Sequence, residues 1–231
     1  MIRRVPTGIP EYDNLIKGGL RKNSINLVAG KAGTGKTVFS MQFLVNGVRK
    51  YNENGLYLTF EEKKKKTYKD MIEFGWDLKR MEEDGKFIYM EYSPEQVKKV
   101  LVEGGGLIES IIEKNNIKRL VLDSITSFSL LYQDELTKKE ASLALFELID
   151  KWDCTAMLTS QDQNPDETMI SAALEFEVDS ITLLYHVKKK GIRTRAIEIL
   201  KMRGTDHPEK TMEMDITNKG IKIFPDKISE F

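Results

Sequence analysis

Gly30-Lys31-Ala32-Gly33-Thr34-Gly35-Lys36-Thr37 is the stretch that decides the fold. It matches G-x-x-x-x-G-K-[ST] in full, and its flanks suit it. Residues 24–29 before it form a short apolar run that reads as a buried strand. Residues 37–51 after it space Phe39, Phe43, Leu44 and Val48 along one helix face. Strand, glycine-rich loop and helix in that order make an anion cradle. The glycines let backbone N–H groups turn inward, and the helix points its positive end at the same anion. The expected nucleotide-binding residues are therefore Gly30, Lys31, Ala32, Gly33, Thr34, Gly35, Lys36, Thr37 and Val38. Lys36 can neutralise the β- and γ-phosphates of ATP, and the Thr37 hydroxyl can ligate Mg2+.

Outward from the loop, strands and helices alternate. Residues 55–60 are a strand candidate, and 65–74 a helix candidate that stops at Gly75. Residues 86–91 alternate like a strand, and Pro94 opens a helix. Gly104-Gly105-Gly106 must interrupt that helix, because each interior glycine costs about 1 kcal/mol. Residues 119–123 form an apolar strand ending on an acid, 140–151 an amphipathic helix, and 155–159 a buried strand. From Asp179 the pattern changes to successive strands at 180–187, 194–202, 212–217 and 221–224. Turns at Lys190-Gly191 and Asn218-Lys219-Gly220 suggest hairpins. The expected fold is α/β: a mostly parallel sheet flanked by helices, with antiparallel C-terminal strands added to it. One domain over residues 1–231 is expected.

Composition narrows the class. The 36 basic and 36 acidic side chains cancel, which argues against a protein that coats nucleic acid by bulk charge. The single cysteine, Cys154, excludes an intramolecular disulfide framework and a cysteine-based zinc site. No apolar run is long enough to span a membrane, and the N-terminus lacks the apolar region of a signal peptide, so a cytoplasmic protein is expected. Charge rich in Lys and Glu, with sparse Gln, points toward a thermophile.

Three further acids bear on chemistry. Asp123, at the end of Leu120-Val121-Leu122-Asp123, is placed to hold a Mg2+-bound water. Glu61 and Glu62, just past the 55–60 strand, are candidates to orient and deprotonate water. On local sequence alone, such a Glu-Glu is more often a solvated pair. The runs at 63–66 and 188–190 are basic, and charge runs are usually solvated faces. Trp76 and Trp152 read as core residues on helical stretches, and Cys154 as an inert small hydrophobe. His186 and His207 lack ligand spacing for zinc, and no histidine is placed to make Ser124 a nucleophile.

Several segments together resemble the KaiC-like branch of the RecA/RadA ATPase superfamily. They are Thr7-Gly8-Ile9-Pro10-Glu11-Tyr12-Asp13 with Lys17-Gly18-Gly19-Leu20, then Phe60-Glu61-Glu62, Phe74-Gly75-Trp76-Asp77-Leu78 and Asp123-Ser124-Ile125-Thr126-Ser127. Most specific is Lys201-Met202-Arg203-Gly204-Thr205-Asp206-His207. The resemblance covers nearly the whole chain and matches one such domain, as in single-domain archaeal members. It implies a RecA-like P-loop core with ATP and Mg2+ as cofactors. It also implies Glu61, with Glu62, as the water-activating pair and Gln161 as the sensor of the γ-phosphate. Lys201, Arg203, His207 and Asn218 would contact the nucleotide of the adjacent subunit, and a homohexameric ring is the expected assembly. The expected function is an ATPase acting as a signalling or remodelling factor on a protein partner of unknown identity. A DNA-repair accessory paralogue, or a nucleotide-occupied adaptor with little turnover, are the alternatives.

Two consequences of the resemblance are decided by residues. Counting back from Lys201-Met202-Arg203-Gly204, the phosphorylated Ser-Thr pair in the second domain of this family's two-domain clock member falls on Glu175 and Phe176. Neither accepts phosphate, so no autokinase activity is expected. The segment after Gln161, which lines the DNA channel in recombinases, has no Lys or Arg from 162 to 179. It carries Asp162, Asp166, Glu167, Glu175, Glu177 and Asp179, so nucleic acid is disfavoured there.

Overall fold

The structure, a computed structural model, describes residues 3–102, 104, 106–129, 131–161, 177–189 and 191–229. Its elements in chain order are β1 (Arg4–Val5), α1 (Pro10–Leu15), β2 (Leu20–Arg21), β3 (Ile25–Ala29), α2 (Lys36–Tyr51), β4 (Asn54–Thr59), α3 (Lys64–Ile72), α4 (Leu78–Glu83), β5 (Phe87–Glu91) and α5 (Pro94–Val102). There follow α6 (Gly106–Lys114), β6 (Ile117–Asp123), α7 (Ile125–Ser129), α8 (Glu135–Lys151), β7 (Thr155–Ser160), β8 (Ser180–Lys189), β9 (Ile192–Met202), β10 (Met212–Thr217) and β11 (Gly220–Ile228).

Strands β3 to β11 form one sheet in the order β11-β10-β9-β8-β3-β7-β6-β4-β5. Alternation along the central strands assigns each side chain to a face. Val28, Tyr57, Val121 and Met157 pack with Phe39, Phe43 and Leu44 of α2 on one face. Their neighbours Leu27, Leu56, Leu58, Leu120, Leu122 and Leu158 pack with Leu145, Phe146 and Ile149 of α8 on the other. Both faces are covered, so these strands read as unbroken apolar runs.

The expected parallel core with antiparallel additions is present, with one difference. The antiparallel region was expected to begin at residue 180. Instead β8 runs parallel to β3, with Leu27 opposite Ile181, and direction reverses only at β9. The cause is the connection. The chain leaves β7 at one end of the sheet and enters β8 from the other, a crossover that forces parallel pairing. Only a tight turn, here at Gly191, can reverse it. Trp76 and Trp152 are buried as expected, but neither is helical: Trp76 lies between α3 and α4, and Trp152 caps α8.

One buried cation ties this framework together. Arg119 on β6 is fully buried; its Nε meets Glu53 Oε2 at 2.8 Å. Its Nη1 donates to the carbonyls of Pro6 and Phe43, both at 2.8 Å. The guanidinium also lies 4.7 Å from the Phe43 ring centroid and 5.2 Å from that of Tyr51. Gly47 in α2 makes room for it, since a Cβ there would lie 2.4 Å from Arg119 Cδ. The N-terminal segment, α2, the start of β4 and β6 thus meet on one side chain. No helix among the described residues is long and apolar enough to cross a membrane.

Candidate nucleotide and hydrolysis site

Parallel strands bring their C-terminal ends to one rim of the sheet. Three of those ends carry the expected chemistry: β3 runs into the loop at 30–35, β6 ends at Asp123, and β4 ends two residues before Glu61. In the loop, Gly35 has φ of 107°, a left-handed conformation, and a Cβ on it would lie 2.8 Å from Ile216 Cδ1. Only glycine satisfies both constraints. Lys36 is buried, and its Nζ donates to the carbonyls of Gly30 at 2.7 Å and Lys31 at 3.1 Å. Burial lowers its pKa, against the opposing pull of the Asp123 and Glu61 carboxylates.

Asp123 is the hub. Thr37 Oγ1 donates to its Oδ2 at 3.1 Å, the Tyr57 hydroxyl donates to the same oxygen, and Thr159 donates to Oδ1. Burial, then the Asp123 charge, holds the Tyr57 hydroxyl well above the usual tyrosine range, so it stays a donor. The Thr37 hydroxyl and the Asp123 carboxylate are adjacent hard oxygens, a donor set that fits a partly hydrated Mg2+.

The two glutamates part company. Glu61 accepts from Ser124 Oγ at 3.0 Å, from Ser127 Oγ, and from Gln161 Nε2 at 3.1 Å. Gln161 is further fixed by its backbone N–H, which donates to Thr126 Oγ1 at 2.8 Å. Glu62 instead pairs with Lys66 Nζ at 3.0 Å on α3. Lys63 and Lys64 are likewise paired, with Glu91 at 3.1 Å and Glu82 at 2.6 Å. The basic run at 63–66 is therefore largely neutralised by its own neighbours.

Lys201 and Arg203 lie at the opposite rim. Met202 faces Ser180, which faces Asn26, near the start of β3. Lys201 Nζ donates to the Val178 carbonyl at 2.8 Å, and Arg203 Nη1 lies 3.9 Å from Asp179 Oδ1. Four residue steps along β3, roughly 13 Å, separate that rim from the loop of the same chain. His207 follows β9, its Nδ1 3.4 Å from the Pro208 carbonyl. Asn218 is elsewhere: it is exposed in the β10–β11 turn, two residues past Ile216 and so on the side of its own Gly35. Beside this turn a cleft of about 540 Å³ runs along α2, lined by Gln42, Asn46, Phe74, Trp76, Thr217 and Ile221. Phe74 and Trp76 stack with centroids 4.9 Å apart. The acidic segment at 162–176, with Glu175 and Phe176, lies outside the described residues, as does Lys190.

Sequence reasoning missed Tyr57, Thr159, Ser127 and Arg195. Arg195 Nε donates to the Gly33 carbonyl at 3.2 Å, bracing the loop from β9 of the same chain. Each sits at a strand or helix position whose partner is far away in sequence. Only Ser127 carried a local signal, three residues after Ser124 at the end of β6.

A family model described as "ATPase: KaiC" matches residues 5–228. The chain is 35% identical to circadian clock protein KaiC3 of Synechocystis, over 97% of this chain and 46% of that protein. It is 32% identical to a UPF0273 protein of Methanocaldococcus jannaschii, over 98% of each. It thus spans about half the length of the clock protein and nearly all of the archaeal one. The solved structure of a KaiC-like protein from Pyrococcus horikoshii matches with a TM-score of 0.86 and 32% identity, covering 97% of this chain and 100% of that one.

Proposed function

This chain belongs to the KaiC family of ATPases, and from that premise we propose that it binds Mg-ATP on residues 30–38 and hydrolyses it as one subunit of a ring. The observation that carries the reading is the convergence of Lys36, Thr37, Asp123 and Glu61 on one rim of the sheet. Backbone N–H groups of the loop and Lys36 take the phosphates. Thr37 and Asp123 would hold Mg2+, which would supply charge neutralisation at the phosphates. Glu61 accepts the proton of the attacking water; Glu62, held by Lys66, supports α3 instead.

Lys201 and Arg203 sit too far from their own loop to serve it, so they are assigned to the ATP of an adjacent subunit, with His207 beside them. There they stabilise transition-state charge as an arginine finger does. Asn218, beside its own Gly35, is assigned with the Phe74–Trp76 cleft to the base and ribose held by the same chain. A homohexamer, in which ATP turnover drives signalling or remodelling of a protein partner, is the assembly this arrangement suits.

Steady-state ATP turnover tests the reading. Glu61→Gln is expected to lower kcat by about 10²–10⁴-fold while ATP still binds. Unchanged turnover would sink the catalytic assignment, and a wild type that holds ATP without turnover would favour an adaptor. One feature favours a second reading, a DNA-repair accessory: the β8–β9 hairpin brings Lys188, Arg193 and Arg195 together with no acid between residues 180 and 197. Salt-sensitive stimulation of turnover by DNA would support it.

A further inference from the structure

The two oxygens of Glu61 are held unequally. Oε1 accepts two hydroxyls, Ser124 Oγ at 3.0 Å and Ser127 Oγ. Oε2 accepts one amide, Gln161 Nε2 at 3.1 Å. Both serines belong to one rigid corner. Ser124 follows the last residue of β6 and is buried, and Ser127 lies three residues on, in α7. Spacing of three on a helical turn brings both hydroxyls to one side. Ile125 and Phe128, between and beside them, are fully buried in the apolar layer and pin that turn. Gln161, by contrast, is exposed at the end of β7.

The two hydroxyls fill the lone pairs of Oε1, whereas Oε2 accepts one amide N–H and keeps a lone pair that water can use. Releasing Oε1 breaks two bonds and uncouples Glu61 from β6. We propose that Ser124 and Ser127 are positioning residues for hydrolysis. They clamp Oε1 so that Oε2 accepts the proton, with Gln161 holding Oε2 from one side and leaving its other lone pair to the attacking water. This rests on Glu61 being the base. In the step, the water proton passes to Oε2 and the water oxygen bonds the γ-phosphorus. The bond from that phosphorus to the bridging oxygen breaks, releasing ADP and phosphate. A long glutamate on an exposed strand end has several rotamers, and fixing it beforehand is what makes a correctly aimed base effective.

The test is a mutant cycle in full-length protein. Ser127→Ala is expected to lower kcat about tenfold, and the Ser124→Ala/Ser127→Ala double variant about 100-fold, with KM for ATP unchanged within about twofold. Neither change should lower kcat further in a Glu61→Gln background, because the clamped group is then no longer a base. Ser127→Thr keeps the hydroxyl and should recover most of the activity. An equal fractional loss in the Glu61→Gln background, or wild-type kcat in the double variant, would overturn the proposal. Unchanged turnover in Glu61→Gln alone would remove the base itself, and the clamp with it.

Discussion

The two rims of this sheet are built on opposite plans. At the rim where the parallel strands end, acids and cation are gathered around a loop that can hold phosphate. Asp123 accepts three hydroxyls, Glu61 three donors, and Lys36 donates into the loop. At the rim where β9 ends, Lys201 and Arg203 stand with no phosphate loop of their own chain in reach, anchored to Val178 and Asp179. Asp179 also accepts the Ile25 N–H at 3.0 Å, which makes that rim a fixed mount rather than a loose tail. The contrast teaches that the glycine-rich loop and the Lys201–Arg203 pair of one chain sit about a sheet's height apart. On the function proposed above, a second copy completes the site.

Arg203→Ala gives the largest expected effect. Turnover should fall by about 10³-fold or more with ATP binding retained. Mixing it with Lys36→Ala should restore measurable turnover, because mixed rings set an intact loop against an intact Arg203. No recovery in rings shown to be mixed would mean that one chain completes its own site. Next comes the framework behind both rims. Arg119→Met leaves Glu53 and two carbonyls without their cation and should cost about 3–5 kcal/mol, read by urea unfolding. A change below about 1 kcal/mol would show that the side chain is replaceable by packing alone.

A smaller effect is expected within the binding rim. Tyr57→Phe removes one donor to Asp123 and should weaken apparent Mg2+ affinity by about 10–100-fold, measured through the Mg2+ dependence of ATP binding. Equal affinities would mean that Thr159 and Thr37 suffice to orient the carboxylate. Smallest of all is Cys154, in the core below both rims. Burial pushes its thiol up to about 12, and thiolate is the reactive form, so alkylation near pH 8 should be slow until the protein unfolds. The sign follows for stability too. Folding favours the protonated thiol, so its contribution is complete below the ordinary thiol range, near pH 8.5, and is lost as pH rises toward 12.

Much of this was legible because local pattern and global fold agree. The loop at 30–37 with its flanks, Asp123 at a strand end, and the run of late strands each follow from periodicity or turn residues. What was not legible had no period to show. β1 and β2 have two residues each, too few for alternation, and α1, α4 and α7 are five or six residues long. Glu61 and Glu62 are chemically identical neighbours in sequence, and only the paths of Ser127 and Lys66 separate them. Arg119 opens the apolar run at 119–123 with nothing local to mark it as a buried cation. The clue was on another element, Gly47, a glycine inside a helix where alanine would be favoured.

Strand β9 has a mechanical consequence. Near its start Arg195 holds the loop of its own chain, and at its end Lys201 and Arg203 face away toward the other rim. The six residue steps from Arg195 to Lys201 span roughly 20 Å of extended backbone. In the ring proposed above, that single strand would touch two ATP sites at once, one through Arg195 and the loop and the next through Lys201.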